Sequence, residues 1–162
     1  MDIIGSQQIP ASRQQVWDAL NDPEVLKACI RGCESLERTG PNGFSATVAM
    51  RVGPIKAVFR GEVTLGDIEP LHSYVITGEG KGGVAGFAKG KARVTLADDA
   101  DGTLLSYTVE ANLGGKLAQL GSRLIDSVAR KEADAFFNAF REVAARDKTV
   151  SDEGATDLSQ PA

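Results

Sequence analysis

The chain has 162 residues, of which 18 are Lys or Arg and 22 are Asp or Glu, for a formal net charge of −4. That length suits one domain burying about two-thirds of its unfolded surface, and that charge excludes a nucleic-acid binder working through bulk positive charge. No basic leader precedes an apolar stretch, and no run approaches the ~18 apolar residues that span a bilayer, so a soluble cytoplasmic protein is expected.

Residues 1–9 form a first predicted strand. Pro10 stops it, and Ser12 caps a helix over RQQVWDALND that places Val16, Trp17 and Leu20 on one face. Asp22 caps a second short helix, PEVLKACI, with Pro23 at its first position, where a missing N–H costs nothing. Cys29 and Cys33 follow in the helix-to-strand turn. With only the distant His72 to join them they cannot complete a tetrahedral zinc site, and they read as two reduced thiols with no metal expected.

Alternating segments then run over 34–39, 44–52, 55–65, 73–80, 84–96 and 103–111, separated by turns at 40–43, at Gly53-Pro54 and at the acidic 98–102. With the first strand these make about seven antiparallel strands. Phe44, Ala46, Val48, Met50 and Val52 share one parity, matched by Ile55, Ala57, Phe59, Gly61, Val63 and Leu65 on the next strand, while Lys56, Arg60 and Glu62 face water. Leu105, Tyr107, Val109 and Ala111 form the inward set of the last strand. Tyr74 and Tyr107 are the polar groups expected to reach inward, joined by Ile76 on the parity of Tyr74, or by Thr77 in the opposite register. From 116 to 145 the period becomes helical, through Leu117, Leu120, Leu124, Val128, Phe136 and Phe140. The residues from 147 on are polar, acidic and aperiodic, so a domain over 1–146 is expected to be followed by a disordered tail over 147–162.

The stretch GGVAGFAKGKARVTL carries the sharpest signal. One parity reads Gly86, Ala88, Gly90, Ala92, Val94, Leu96, and the other Phe87, Lys89, Lys91, Arg93, Thr95. The charged parity must face water, which turns a row of nearly absent side chains toward an interior that is normally filled to crystal density. An apolar cavity for a small hydrophobic molecule is therefore expected, lined by Phe59, Gly61, Tyr74, Ile76, Gly86, Ala88, Gly90, Ala92 and Tyr107 from the sheet. Leu117, Leu120, Leu124 and Val128 complete it from the helix. The alternative is a scaffold in which Phe136, Phe137 and Phe140 fill that space. On the outer parity, Phe87 beside Lys89, Lys91 and Arg93 is either a solvated strand face or a docking surface for an anionic headgroup or an acidic partner.

Catalytic signals are weak. GEGKGG at 78–83 spells G-x-G-x-x-G, but it joins two strands and opens no helix, so it reads as a pliant hairpin. His72 has no neighbouring nucleophile in sequence, and Glu62, Glu79 and Glu110 fall on outward parities.

The segments VWDALNDPEVLKACIRGCESLE, VGPIKAVFRGEVTL, GEGKGGVAGFAKGKARVTL and GGKLAQLGSRLIDSVARKEADAFF resemble the CoxG family, the G-subunit family of carbon monoxide dehydrogenase, over residues 1–141. That family lies within the helix-grip superfamily that also holds START lipid-transfer domains and polyketide cyclases. The resemblance implies an α+β helix-grip fold, a curved seven-stranded antiparallel sheet wrapped around a long C-terminal helix with two short helices after the first strand. It also implies a non-enzymatic accessory role beside a molybdenum hydroxylase of the carbon monoxide dehydrogenase type, recruiting that enzyme to the membrane or holding a quinone that accepts its electrons. A cyclase or hydrolase using the same cavity is the enzymatic alternative. Two features depart from the family pattern. Arg31 stands where the family has Pro before Gly-Cys, and the acidic end lacks the hydrophobic anchor of membrane-linked members, so contact with a membrane is expected through shuttling or the domain surface.

Overall fold

Ser12 and Gln15 lock the start of the first helix reciprocally: the Ser12 hydroxyl accepts from the Gln15 backbone N–H at 3.2 Å, and the Gln15 side chain accepts from the Ser12 N–H at 3.0 Å. In this computed structural model the backbone is described for residues 1–159 and side chains for residues 1–146, so the tail expected over 147–162 lies outside the fully described residues. Strand β1 (Asp2–Ile9) leads to α1 (Arg13–Leu20) and α2 (Pro23–Cys29), followed by β2 (Cys33–Gly40), β3 (Gly43–Val52), β4 (Ile55–Glu69), β5 (Ser73–Lys81), β6 (Phe87–Asp99), β7 (Gly102–Gly114) and α3 (Ser122–Ser159).

All neighbouring strands are antiparallel, in one seven-stranded sheet of order β1-β7-β6-β5-β4-β3-β2. Only the β1 to β7 pairing joins segments distant in sequence, and α1 and α2 are the excursion that lets the chain cross to the far edge. The expected alternation holds through β4 and β6, with Lys56, Arg60 and Glu62 exposed, whereas β5 opens with Ser73, Tyr74 and Val75 all buried. The paired residues share a face, so the inward parities line up across the sheet. Ala46 pairs with Gly61, Gly61 with Gly80, Gly80 with Ala88, and Ala88 with Leu113. From Ala46 to Ala88 this is a rank of small residues, and it crosses the concave face near one end of β5 and β6.

Two expectations are corrected. The sixth strand begins at Phe87 because Gly83–Ala85 form a 3-10 turn and Gly86 adopts φ +110, a conformation open to glycine, with its Cα face against the Gly114 carbonyl. The helix expected over 116–145 is two pieces. Gly115–Leu120 is a 3-10 turn, Gly121 at φ 89 and ψ 148 breaks the chain, and α3 begins only at Ser122. That backbone combination is essentially confined to glycine.

The core divides in two. Phe137, Phe140 and Ala144 of α3 meet Val16, Ala19 and Leu20 of α1 and the sheet residues Phe44, Tyr74, Val94 and Leu105 in the larger cluster. A smaller cluster at the other end joins Val52, Leu117 and Ile125 to Met50, Phe59, Leu113, Leu120 and Val128. The helix is gripped at one end and stands off at the other.

Candidate functional site

At the end of the smaller cluster the rank of small residues leaves an apolar cavity of about 380 Å³, within the ~300–1,000 Å³ range of small-molecule sites. Its floor is Ala46, Gly61, Gly80 and Ala88; Val48, Met50, Val52 and Phe59 wall it on the β3–β4 side; Leu117, Ile125, Val128 and Ala129 form its roof. Every lining residue is apolar or glycine except Glu132. A further recess of about 310 Å³ shares Gly61, Gly80 and Ala88 with it and runs on past Ile76, Gly78, Gly90, Ala92 and Ala111.

Of the sequence-predicted residues, Phe59, Gly61, Ala88, Leu117 and Val128 line the cavity, and Ile76, Gly90 and Ala92 line its extension. The others sit elsewhere. Tyr74 is 4 % exposed and meets Trp17 edge-on at 5.4 Å, and Tyr107 stacks on Phe137 at 5.4 Å, so both tyrosines belong to the filled end. Gly86 serves the turn before β6. Leu120 packs into the smaller cluster, and Leu124 covers the β3–β4 turn, where a Cβ on Gly53 would lie 2.7 Å from its Cδ2.

The glycines are unequal. A Cβ on Gly80 would meet nothing within 4 Å, whereas on Gly90 it would press to 2.7 Å from the Glu110 carbonyl oxygen. Gly80 is thus the open position and Gly90 a close backbone approach. Sequence reasoning passed over Gly80, Ala46, Met50, Val52 and Leu113, although their parity was visible; what it lacked was the register that brings Ala46, Gly80 and Ala88 into one rank. Ile125, Ala129 and Glu132 were missed because the break at Gly121 resets the helical phase.

At the cavity rim Arg31 and Glu132 meet, Nη2 to Oε1 at 2.5 Å and Nε to Oε2 at 3.3 Å, joining the α2–β2 turn to α3. The charge on Glu132 is thereby matched where it borders the apolar space. Burial pushes the Tyr74 phenol well above its ordinary range. Burial also raises the thiols of Cys29 and Cys33, with Arg146 and Lys27 respectively pulling the other way, so both free thiols stay protonated near neutral pH. Among the described residues no group of three or more His, Cys, Asp or Glu side chains is placed to hold a metal ion. His72 is exposed, with Nδ1 3.2 Å from Arg13 Nη1.

Phe87, Lys89, Lys91 and Arg93 are all exposed on the outer face of β6. They do not stand alone. Glu79 lies directly opposite Lys89, and Glu110 directly opposite Lys91, so the stripe belongs to a face of mixed sign. Phe87 lies over Gly114, where a Cβ would strike its ring.

A curved antiparallel sheet closed at one end on a long C-terminal helix, with an apolar cavity at the other, is the helix-grip fold. Solved structures with the same fold include a conserved protein from Geobacillus kaustophilus, at 31 % identity and TM-score 0.85, over 90 % of this chain and 96 % of that one. A protein from Thermus thermophilus is similar at 17 % identity and TM-score 0.68, over 91 % of this chain and 99 % of that one. The Zhui aromatase/cyclase from a Streptomyces species is similar at 16 % identity and TM-score 0.65, over 90 % of this chain and 94 % of that one. The chain belongs to the CoxG family, the G-subunit family of carbon monoxide dehydrogenase, whose model matches residues 5–145. No curated protein matches the sequence. No helix among the described residues is long and apolar enough to cross a membrane.

Proposed function

We propose that this protein is a non-enzymatic accessory factor of a carbon monoxide dehydrogenase-type molybdenum hydroxylase, and that it carries a hydrophobic small molecule in the cavity. The family supports the partner, and a quinone or another isoprenoid is the ligand class that the accessory role favours, since it would link the enzyme to a membrane or to its electron acceptor. One observation carries the binding part of the reading: the concave face is floored by Ala46, Gly61, Gly80 and Ala88 and walled by apolar side chains apart from Glu132. Such a surface gains about 25 cal/mol for each Å² of apolar ligand it removes from water, and it offers a reacting group almost nothing to work with.

Calorimetric titration with a short-chain quinone tests the ligand class. Saturable one-to-one binding with a negative heat-capacity change is expected. Binding of other isoprenoids but no quinone would confine the reading to a carrier of a different lipid, and failure to bind any of them would remove it. Co-purification with the hydroxylase tests the partner separately.

A further inference from the structure

The cavity adjoins a second cleft of opposite character. This cleft, of about 470 Å³, shares Met50, Val128 and Glu132 with the cavity and adds Arg31, Arg51 and Lys131. It lies where the edge of the sheet runs out. β2 pairs with β3 no further than Cys33 opposite Val48, and one bond from the Ala49 N–H to the Gly32 carbonyl at 2.8 Å closes the edge. In an antiparallel ladder the main-chain groups of residues two apart point the same way. Arg51 therefore turns its N–H toward the side on which Ala49 bonds Gly32, with no strand among the described residues to receive it.

Three cations and one carboxylate give the cleft a charge of +2, and the carboxylate of Glu132 is already taken up by Arg31. Arg51 and Lys131 are exposed and have no ion pair among the described residues. The whole chain carries −4, and the acidic β6–β7 hairpin of Asp98, Asp99 and Asp101 lies at the opposite end of the strands from Phe87 and Gly114. The cleft is thus a local positive site on a negative protein, which favours a small anion there.

We infer that the cleft is a headgroup subsite for the cavity, and that the two together take a single-chain amphiphile with an anionic head, a phosphate or a carboxylate. The head lies against Arg51, Lys131 and the Arg51 N–H while the chain passes Met50 and Val128 into the apolar space. This rests on the reading of the cavity as a ligand site. At ~30 Å³ for each small group, 380 Å³ accepts a chain of about a dozen carbons. A cavity that holds an uncharged isoprenoid then holds an anionic amphiphile more tightly than its neutral counterpart.

Dodecyl phosphate, dodecanol and inorganic phosphate are the probes, titrated into the full chain, into the double variant Arg51→Gln with Lys131→Gln, and into Gly80→Phe, each first shown to melt cooperatively. In low salt the wild type is expected to bind dodecyl phosphate about tenfold or more tightly than dodecanol. That preference should vanish in the double variant with dodecanol binding unchanged, and Gly80→Phe should lose both amphiphiles. Equal affinity for the two amphiphiles in the wild type, or a preference that survives in the double variant, overturns the headgroup subsite and leaves the cavity standing. Inorganic phosphate binding as tightly as dodecyl phosphate, unaffected by Gly80→Phe, would make the cleft a free-anion site and overturn its link to the cavity. Failure of both amphiphiles to bind overturns the cavity reading together with it.

Discussion

Tyr107 stacks on Phe137 with ring centroids 5.4 Å apart and planes 17° from parallel, and this pair marks where the grip of the sheet on α3 ends. Phe136 meets Phe137 edge-on at 5.1 Å and stacks on Phe140 at 5.7 Å, and Phe140 is 0 % exposed. On the near side of the Tyr107–Phe137 pair the concave face falls to Ala111, Gly90 and Gly78, and no aromatic ring of α3 reaches over them. The phenylalanines fill one end only.

That division fixes what substitutions at the two glycines should do. Gly80→Leu projects into open space and replaces a strand glycine with a side chain, so the melting temperature should hold or rise while uptake of an apolar ligand is lost. Gly90→Leu must displace the Glu110 carbonyl and should cost about 1–3 kcal/mol. Denaturant midpoints with ligand titration separate the two, and an unfolded Gly80→Leu would show that the interior was already full.

Phe140→Ala removes the anchor of the gripped end. A loss of about 3–5 kcal/mol is expected from chemical denaturation, far more than truncation of Val128 over the cavity, where the wall is already bare on one side. Comparable costs at the two positions would contradict a helix held at one end.

Tyr74 predicts an alkaline limb of stability. Its phenol is raised in the fold by burial, and in the unfolded chain it ionises near pH 10. Stability is therefore intact below about pH 10 and falls as the pH rises past it, because the unfolded state loses its proton first. Tyr74→Phe should flatten that fall, so its stability relative to the wild type should improve steadily between about pH 9 and 11. A difference independent of pH would mean that the phenol is not desolvated.

Gly121→Ala tests the break before α3. Since φ is 89 and ψ 148, and a Cβ there would meet nothing within 4 Å, the cost is conformational and not steric, and about 1–3 kcal/mol is expected. A neutral effect would imply that the 3-10 turn and α3 can merge into one continuous helix.

Much of the fold was legible in the residues because the evidence for it is local. Ser12 after Pro10 and Asp22 with Pro23 mark helix starts, and the opposed parities of Phe44 to Val52 and Ile55 to Leu65 state which side is wet. The candidate site was legible only in part. Gly86, Gly90 and Gly80 look alike in a sequence, yet one serves a turn at φ +110, one a backbone approach to Glu110 and one an empty floor; these differences arise from what each meets across the sheet, Gly114 for Gly86, Glu110 and Ala111 for Gly90, and Gly61 and Ala88 for Gly80. Tyr74 and Tyr107 point inward as their parity requires, but which end of the interior they occupy depends on where Trp17 and Phe137 arrive from distant parts of the chain. The basic stripe reads as a single field until the register sets Glu79 and Glu110 against it.

The central claim is that the space above Ala46, Gly61, Gly80 and Ala88 holds a hydrophobic molecule. Native mass spectrometry of freshly purified protein, with organic extraction of the same sample, measures this most directly. The wild type should carry a noncovalent adduct whose mass is recovered in the organic extract, and Gly80→Leu should fly as the bare polypeptide. A wild-type spectrum showing only the bare chain, unchanged after incubation with quinones, isoprenoids and long-chain amphiphiles, would contradict the account.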